Sequence, residues 1–470
     1  MWEGTCSMSQ HGDPSWKTSR YLTVIEVEST DTLLLFAGFF GRLVEVPGPY
    51  RRAAYDLIAA PNAAPAPEHA VLQKLFREQG VTIPEGFDEL QYLKEQHEQA
   101  KFLPTSVLSL TICPTLNCNF RCTYCYQHHP AGVMSGEIQD RIVRYVTDYR
   151  PRLDRLFVTW FGGEALLELS VIERLSKQFL ALPAKYDASV ITNGSLLSRK
   201  VSKRLVDLHV SWAQITLDGP RHIHDTRRPL ACNRPSFDRI LWNIAEADPG
   251  LSITIRVNVD QTNNADLPAL FDQLDAAGLL GRVSVYFAPV FPYTDVCADA
   301  IKNCMTDASW ARAESALQLL ALNRGYGEPG LPSARRNVCL ADRASALVIV
   351  PSGLVYKCWN DVTDPSQAIF DLARGERIPA MDEIFSRWLE WGPFNFPDCE
   401  CCSILPLCMG GCPHVSIRRA RGACKELKHN LKETILLHYL GHKRKQATTQ
   451  LVALLEQRLP KDREKVQEQV

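Results

Sequence analysis

Three cysteines in the run CNFRCTYC have a spacing that suits an iron–sulfur site. Cys118, Cys122 and Cys125 are separated by three and then by two residues, and such a loop can wrap one face of a cubane cluster. A four-iron cluster normally takes four cysteine thiolates, so three leave one iron without a protein ligand. That iron could hold the amino and carboxylate groups of S-adenosylmethionine (SAM). The alternative is a structural zinc site, which usually has four ligands in paired spacing, and Cys113 is the only nearby candidate for a fourth.

The same run resembles the CxxxCxxC signature of the radical SAM superfamily, in which an aromatic residue, here Tyr124, precedes the last cysteine. The resemblance implies a SAM-binding [4Fe-4S] cluster on the three cysteines, with Tyr124 beside the bound SAM. It favours the cluster over zinc.

The elements that must position these cysteines alternate between strand-like and helix-like segments from about Val107 to Gly325. The strand candidates are VLSLTIC, LFVTWFGG, ASVITNG, WAQITLDG, LSITIRVNV and RVSVYFAPV. Six such units predict a parallel sheet with helices outside, because parallel strands need long crossovers. This pattern is similar to the partial (β/α)6 TIM-type barrel of radical SAM enzymes. Sites in such sheets gather at the carboxyl ends of the strands.

The second strand candidate ends in Gly162, Gly163 and Glu164. Glycines let the backbone approach a ligand closely, and a glutamate can accept a hydrogen bond from an ammonium group. The alternative is a strand-to-helix turn with a capping carboxylate. In the radical SAM family this GGE motif receives the methionyl amine of SAM, which implies a cofactor-binding role here.

The third and fourth strand candidates end in short polar residues that could bond to ribose or carboxylate oxygens. By the family resemblance the residues lining the nucleotide pocket are Thr192, Asn193, Thr216 and Asp218, with Thr216 where serine is commoner. His224, Asp225 and Arg228 match the HDxxR pattern of the peptide-modifying branch. Arg256 could pair with the SAM carboxylate through a bidentate fork. An ordinary ion pair is the alternative for either arginine.

A second series of seven cysteines follows the barrel. Its spacing resembles that of the SPASM domain, which carries two auxiliary iron–sulfur clusters, whereas zinc could explain a single CxxC pair. The resemblance implies a distal cluster bound by Cys399, Cys402, Cys408 and Cys424. It implies a proximal cluster bound by Cys339, Cys358 and Cys412, with a fourth ligand left unassigned. The three predicted [4Fe-4S] clusters are therefore one SAM-binding and two auxiliary, and the auxiliary pair could accept an electron from a substrate radical.

Six further cysteines fall outside both series. They are Cys6, Cys113, Cys232, Cys297, Cys304 and Cys401. A buried thiol without a ligand role is the default for each. Cys297 or Cys304 could reach the proximal cluster, whereas Cys401 is expected to be a bystander because Cys399 and Cys402 already satisfy the x2 spacing.

Composition limits the partners. The 470 residues include 46% hydrophobic and 22% charged residues, with a formal net charge of −1. This balance gives no reason to expect nucleic acid or an anionic membrane as a partner. The first twenty residues have no apolar segment of the kind that a secretion signal needs. Sixteen cysteines in such a chain indicate metal ligation in a reducing cytoplasm rather than disulfides.

Five segments are predicted along the chain. Residues 1–20 form a loosely ordered N-terminus, 21–100 a winged-helix-like α+β domain, 105–330 the barrel, 331–425 the SPASM domain and 426–470 a helical segment. In the second segment, YLTVIEVES and TLLLFAGFFGRLVEV predict a strand pair, and PYRRAAYDLIA and HAVLQKLFREQG predict helices. The segment resembles the winged-helix peptide-binding domain of ribosomal-peptide maturases, which would add a leader peptide to its sheet edge. A simple cap on the barrel is the alternative.

The function that these resemblances imply is that of a radical SAM peptide maturase, an oxidoreductase. It would use a 5′-deoxyadenosyl radical to abstract hydrogen and close an intramolecular C–C or C–S crosslink in a ribosomal precursor peptide. Its partners would be that peptide, bound through its leader, and an electron donor such as flavodoxin or ferredoxin. One alternative is oxidation of Cys or Ser to formylglycine, as in anaerobic sulfatase maturation, and another is a non-catalytic cluster carrier. No side chain stands out as the catalytic acid or base.

Overall fold

The computed structural model describes residues 15–149, 153–336, 339–376 and 379–458. Cys6, most of the predicted N-terminal segment and the end of the predicted C-terminal segment lie outside them. The chain divides into two compact units. The first comprises the described residues of Met1–Leu103, Pro332–Arg343 and Leu389–Cys424, and the second those of Pro104–Leu331, Ala344–Trp388 and Lys425–Val470.

The described residues contain 14 strands and 15 α-helices. In chain order the strands are β1 (Trp16–Thr18), β2 (Leu22–Val27), β3 (Thr32–Ala37), β4 (Arg42–Pro47), β5 (Thr82–Pro84), β6 (Val107–Ile112), β7 (Arg155–Trp160), β8 (Lys185–Thr192), β9 (Val210–Thr216), β10 (Ser252–Val259), β11 (Val283–Pro289), β12 (Ala346–Ile349), β13 (Leu354–Tyr356) and β14 (Phe370–Asp371). The helices are α1 (Arg51–Ala59), α2 (Ala70–Gln79), α3 (Glu89–Phe102), α4 (Gly136–Thr147), α5 (Leu169–Leu180), α6 (Arg199–Asp207), α7 (Arg221–Arg227), α8 (Phe237–Glu246), α9 (Leu267–Ala276), α10 (Asp307–Arg324), α11 (Pro379–Glu390), α12 (Pro397–Glu400), α13 (Leu405–Cys408), α14 (Pro413–Arg419) and α15 (Leu427–Arg458). Among the described residues, none of these helices has the length and apolar character needed to cross a membrane.

The first unit is built on an antiparallel sheet with the order β2-β3-β4. The central strand β3 is buried at all six positions, five of which are apolar, because its two neighbours and the adjoining helices cover it. Leu33 and Leu35 pack against Val46 and Phe76 in this core. The segment TLLLFAGFFGRLVEV, which we predicted as one strand of a pair, forms the two strands β3 and β4 instead. Gly41 supplies the left-handed turn between them, with φ 64°.

The second unit contains the predicted parallel sheet. Strands β6 to β11 lie side by side in parallel register, in the order of the chain, with helices in the crossovers. The predicted α/β fold class with a partial six-stranded barrel is therefore confirmed. Their carboxyl ends bring the predicted cofactor-binding segments to one edge of the sheet, because all six strands run in the same direction.

Three further strands extend this sheet beyond β6. Strand β12 pairs with β6 in parallel, and β13 and β14 follow in antiparallel pairing. We predicted residues 331–425 as one separate domain, but the structure divides them between the two units. The difference arises because the apolar run Ala346–Ile349 pairs its backbone with Ser109–Ile112 of the barrel sheet.

Candidate active site

The loop with the three cysteines follows β6 and is fixed through its backbone. Arg121 and Thr123 donate their N–H groups to the carbonyls of Pro229 and Arg227, and Ala231 donates to that of Asn119. The loop is thus held against the segment that carries the HDxxR pattern. Within it, the N–H of Phe120 donates to Sγ of Cys118 at 3.4 Å, an interaction that favours a thiolate.

The three thiols lie within electrostatic range of one another. Burial raises the pKa of Cys118 to about 12 and that of Cys122 to about 11, and Cys122 and Cys125 add to the respective shifts. Burial also raises the pKa of Cys125. The Arg228 guanidinium acts on all three thiols in the opposite direction. Binding of iron would therefore have to displace protons, and Arg228 would offset part of the negative charge.

The donor set fits a cluster on chemical grounds, because soft thiolates are its natural ligands. Among the described residues, no group of three or more His, Cys, Asp or Glu is arranged around a position for a single metal ion. Each cysteine of a cubane binds a different iron, so a cluster does not require that arrangement.

Glu164 is buried beside the cysteine loop. Its carboxylate accepts hydrogen bonds from the N–H groups of Leu166 at 3.0 Å and Asn193 at 2.7 Å and from the Thr192 hydroxyl at 2.7 Å. Burial raises its pKa, and these donors together with the Arg228 charge work against that rise. A carboxylate has about four acceptor positions, so one remains for a further donor.

The two glycines before Glu164 allow the cysteine loop to approach the end of β7. A Cβ on Gly162 would lie 2.1 Å from the carbonyl oxygen of Thr115, and one on Gly163 would lie 2.3 Å from that of Asn117. Gly162 also has φ 129°. The glycines thus make room for the backbone that leads into the cysteines, and their role toward a ligand stays a prediction.

We predict that Gly163→Ala destabilises the second unit by about 1–3 kcal/mol, because an alanine overlaps two backbone oxygens that cannot move independently. The iron content after reconstitution should fall as well. Denaturant unfolding and iron analysis test this expectation. Gly136→Ala, at the start of α4, is the matched control: its added Cβ would lie 4.0 Å from the nearest atom, in the Arg174 side chain, and should change neither quantity. Equal stability of both variants would contradict the prediction.

Thr192 and Asn193, predicted to contact the nucleotide, have partners inside the protein. Thr192 donates its hydroxyl to Glu164. The Asn193 amide donates to Oδ1 of Asn119 at 2.8 Å, and the Asn119 amide donates to Oγ of Ser195 at 3.0 Å. These contacts connect the end of β8 with the cysteine loop. Asn119 was not identified from the sequence, although its position between two motif cysteines was the available signal.

Asp218 is fully buried at the end of β9 and belongs to a network around Tyr124. The Tyr124 hydroxyl donates to the Asp218 carboxylate and accepts from Arg228 at 2.6 Å and from the Asn258 amide at 3.0 Å. Asp218 also accepts from the backbone N–H of Asn258 at 3.0 Å. Nε of Arg228 has no hydrogen-bond partner among the described residues, which leaves a donor for a bound anionic group. Thr216 lies buried at the end of β9, two residues before Asp218.

The other members of the HDxxR pattern hold the local fold. Burial, reinforced by two arginines, lowers the pKa of His224 well below its usual range, so the ring is neutral. Its Nδ1 accepts from the N–H of Asp218 at 3.3 Å. Asp225 accepts from the N–H groups of Ser236 and Phe237 at the start of α8.

Arg256 lies in β10 and has a different environment from Arg228. Its guanidinium donates to Oδ1 of Asn258 at 2.8 Å and to the Tyr286 hydroxyl at 3.2 Å. Nearby phenols, with that of Tyr286 foremost, raise its pKa against the opposing effect of burial. The two arginines therefore present separate positive charges, and Asn258 contacts both networks.

The four cysteines predicted for the distal cluster come together in the first unit. Burial raises the pKa of Cys399 to about 11, with added contributions from Cys408, Cys424 and Cys402. A Cβ on Gly422 would lie 2.6 Å from Sγ of Cys399, so the chain passes close to this sulfur. These observations fit a shared group held by the four thiols.

The three cysteines predicted for the proximal cluster are distributed between the units. Cys339 and Cys412 belong to the first unit and Cys358 to the second. The Sγ atoms of Cys339 and Cys358 each accept a backbone N–H from the residue two positions later, at 3.4 and 3.5 Å. Cys118 shows the same arrangement. Their assignment to one cluster stays a prediction.

The remaining described cysteines differ in exposure and in their neighbours. Cys232 and Cys401 are exposed, and Cys113 is buried at the end of β6. Cys297 lies close enough to Cys125 to influence its pKa, and Cys304 close enough to be influenced by Cys297. None of the 15 described cysteines forms a disulfide.

Comparison with known proteins agrees with this geometry. The model of the radical SAM superfamily matches residues 112–288, from the end of β6 into β11. The Fe-coproporphyrin III synthase of Methanosarcina barkeri is 25% identical over 162 residues, which are 34% of this chain and 39% of that protein. A serine-type anaerobic sulfatase-maturating enzyme of Klebsiella aerogenes is 24% identical over 339 residues, which are 66% of this chain and 80% of that protein.

A solved structure shares the fold. The native anSMEcpe structure with bound AdoMet has a TM-score of 0.52 and 18% identity, and the match covers 71% of this chain and 97% of that chain. The family match and the carboxyl-end site together define the class: this chain contains a radical SAM domain. Such a domain implies a [4Fe-4S] cluster and SAM.

Proposed function

We propose that the protein is a radical SAM maturase that closes an intramolecular C–C or C–S crosslink in a ribosomal precursor peptide. The observation that carries the proposal is that one chain contains both the three-cysteine loop with Glu164 and a separate unit whose sheet has the order β2-β3-β4. Strand β2 lies at the edge of that sheet. A peptide can add to such an edge through its main chain.

The residues of the site have separate tasks in this proposal. Cys118, Cys122 and Cys125 bind the cluster, Glu164 accepts the methionyl ammonium at its remaining acceptor position, and Arg228 supplies the positive charge. When bound, the cluster and SAM supply a 5′-deoxyadenosyl radical that removes a hydrogen atom from the substrate. The buried network of Tyr124 and Asp218 keeps Arg228 in place and excludes water from the site.

The auxiliary clusters complete the proposal. Forming a crosslink from a substrate radical and an S–H or C–H group requires the loss of one electron and one proton. A second cluster can accept the electron, and the proton would pass to solvent. Cys399, Cys402, Cys408 and Cys424 would bind one such cluster, and Cys339, Cys358 and Cys412 the other. An external donor such as flavodoxin or ferredoxin would reduce the SAM cluster, in the cytoplasm.

Oxidation of a Cys or Ser to formylglycine is the second candidate. The 24% identity to a serine-type sulfatase-maturating enzyme over 66% of this chain favours it. The sheet β2-β3-β4 of the first unit favours the crosslink instead, because the leader of a precursor peptide could bind to its edge.

Co-expression with each small open reading frame beside the gene, followed by high-resolution mass spectrometry, tests the proposal. The expected result is a peptide that loses two hydrogens, contains no free aldehyde and requires Cys122. An aldehyde-reactive product would establish formylglycine instead. If every peptide stayed unmodified while the purified protein cleaved SAM, the proposal that the substrate is a precursor peptide would be wrong.

A further inference from the structure

Cysteines predicted for the distal cluster pack in a hydrophobic core of the first unit, which is called the N-terminal unit below because it contains the sheet β2-β3-β4. Tyr21 and Phe39, which flank the strands β2 and β3, pack with Leu93 of α3 and with Leu405 and Met409. The same cluster includes the side chains of Cys399 and Cys402, together with those of Phe40, Phe87, Leu90 and Phe394. The residues between Cys399 and Met409 therefore help to form the core from which the edge strand β2 begins.

Tyr21 also brings a buried hydroxyl into this core. Only 1% of the residue is exposed, and its hydroxyl has no hydrogen-bond partner among the described residues. Burial raises the pKa of this phenol to about 12, and Cys402 is one of the groups that influence it. A buried hydroxyl without a partner is costly, so it usually has one in the complete protein. A sulfur of a bound cluster, or the Cys402 thiolate that binds it, would accept a hydrogen bond from this hydroxyl.

A direct hydrogen bond also joins the start of β2 to residues 399–424, here called the distal cysteine loop. The Arg20 guanidinium donates to the carbonyl oxygen of Glu400 at 2.8 Å. The backbone N–H of Arg20 and the Ser19 hydroxyl both donate to the buried carboxylate of Glu89, at 3.0 and 2.6 Å. The N–H of Gly38 donates to the carbonyl of Tyr21 at 3.0 Å. Residues 19–21 thus connect the distal cysteine loop, α3 and the end of β3.

These connections help to stabilise the distal cysteine loop. Its helices α12 and α13 have four residues each, far below the length at which an isolated helix forms. Met409 follows in the left-handed region, at φ 45°, although it is fully buried. A group that joins Cys399, Cys402, Cys408 and Cys424 would hold this loop closed and keep Leu405 and Met409 in the core.

We infer that the distal cluster is a structural part of the N-terminal unit, with Tyr21 donating a hydrogen bond to it, so that cluster loss loosens the peptide-binding edge strand β2. The inference rests on the proposed function for the role of that edge. Binding of a group to the folded form alone stabilises the elements that contact it. Oxygen damage at this cluster would then stop recognition of the peptide as well as electron transfer.

Hydrogen exchange of the reconstituted full-length protein tests the inference without any peptide. In Cys402→Ser and in Cys424→Ser we expect amides of Leu22–Val27 and Thr32–Ala37 to exchange at least about tenfold faster than in the wild type. Cys401→Ser changes an exposed neighbour in the same loop and should leave exchange unchanged. Cys122→Ser, which removes a ligand of the SAM cluster, should also leave β2 and β3 unchanged. Wild-type exchange in β2 for both distal variants, with the iron content reduced, would overturn the inference.

Tyr21→Phe provides a second test that keeps the ring and its packing. The variant should retain its iron, but the reduction potential of one auxiliary cluster should become more negative, because a hydrogen bond to sulfur raises the potential. Tyr55→Phe, which removes a hydroxyl that bonds to Glu26 at 2.5 Å, is the control. Redox titration followed by electron paramagnetic resonance measures the change. An unchanged potential in Tyr21→Phe would exclude the hydrogen bond.

Failure of this inference and failure of the proposed function give different results. If no peptide is modified while the distal variants lose protection in β2, the structural role stands without the maturase. If a crosslinked peptide forms while β2 keeps its protection, the maturase stands and the distal cluster has no structural role in the N-terminal unit.

Discussion

Cys122→Ala should reduce the formation of 5′-deoxyadenosine from SAM to the background level. Cys122 is the central cysteine of the loop, and its thiol lies within electrostatic range of both Cys118 and Cys125. Without it, two thiolates remain on this loop, and a four-iron cluster is not held by two. The measurement is liquid chromatography of the products after anaerobic reconstitution and reduction with dithionite.

Cys232→Ala is the matched control for this experiment. Cys232 belongs to the same unit but is exposed, and its Sγ accepts from Nε of Arg234 at 3.4 Å. The control variant should form 5′-deoxyadenosine at the wild-type rate. If Cys122→Ala formed 5′-deoxyadenosine at the wild-type rate, Cys122 would not be a ligand of the SAM-binding cluster. The iron content of both variants separates loss of the cluster from loss of turnover on an intact cluster.

The six parallel strands could be predicted because each combines an apolar run with a polar or glycine-rich end, and amphipathic segments separate them. The extension of the sheet by β12 to β14 could not be predicted in the same way. Ala346–Ile349 is only four residues long, and its pairing with β6 depends on an exposed sheet edge that is distant in sequence. Length and periodicity carry no information about which edge a short apolar run will join.

The motifs predicted which residues would lie together at the strand ends, whereas the contacts among them could not be predicted. Glu164 and the three cysteines come together as the motifs imply. The sequence could not tell that the Thr192 hydroxyl bonds to Glu164, since a hydroxyl at a strand end can face either a ligand or a neighbouring side chain. Asn258, whose amide joins Tyr124 and Arg256, lies two residues after Arg256 in the same predicted strand, but nothing in the pattern distinguished it.

The contacts of the distal cysteine series with the N-terminal sheet could not be predicted from the cysteine spacing. Cysteine spacing indicates which thiols could share a cluster, but it gives no information about the core into which their loop packs. Leu405 and Met409 lie between and after cysteines of the distal series, yet they pack against Tyr21 and Phe39, more than 360 residues earlier in the sequence. Packing of this kind depends on tertiary structure rather than on local pattern.

Glu164→Gln should weaken the binding of SAM by about 1.5–3 kcal/mol, or roughly 10- to 150-fold in Kd, which is the usual contribution of a hydrogen bond to a charged group. The substitution keeps the shape of the side chain but removes the negative charge that an ammonium group needs. It also places an amide NH2 against the N–H and hydroxyl donors of Leu166, Asn193 and Thr192. Isothermal titration of the reconstituted protein with SAM measures the effect.

Two further variants separate loss of charge from loss of local order. Thr192→Val removes one donor to Glu164 and leaves the carboxylate charged, so we expect a smaller loss of affinity, about 0.5–1.5 kcal/mol. Glu168→Gln changes a half-buried glutamate one turn later and should bind SAM as the wild type does. If Glu164→Gln bound SAM with wild-type affinity while retaining its iron, Glu164 would not be the acceptor of the methionyl ammonium. An equal loss in Thr192→Val and Glu164→Gln would mean that the order of the strand ends, rather than the charge of Glu164, controls the affinity.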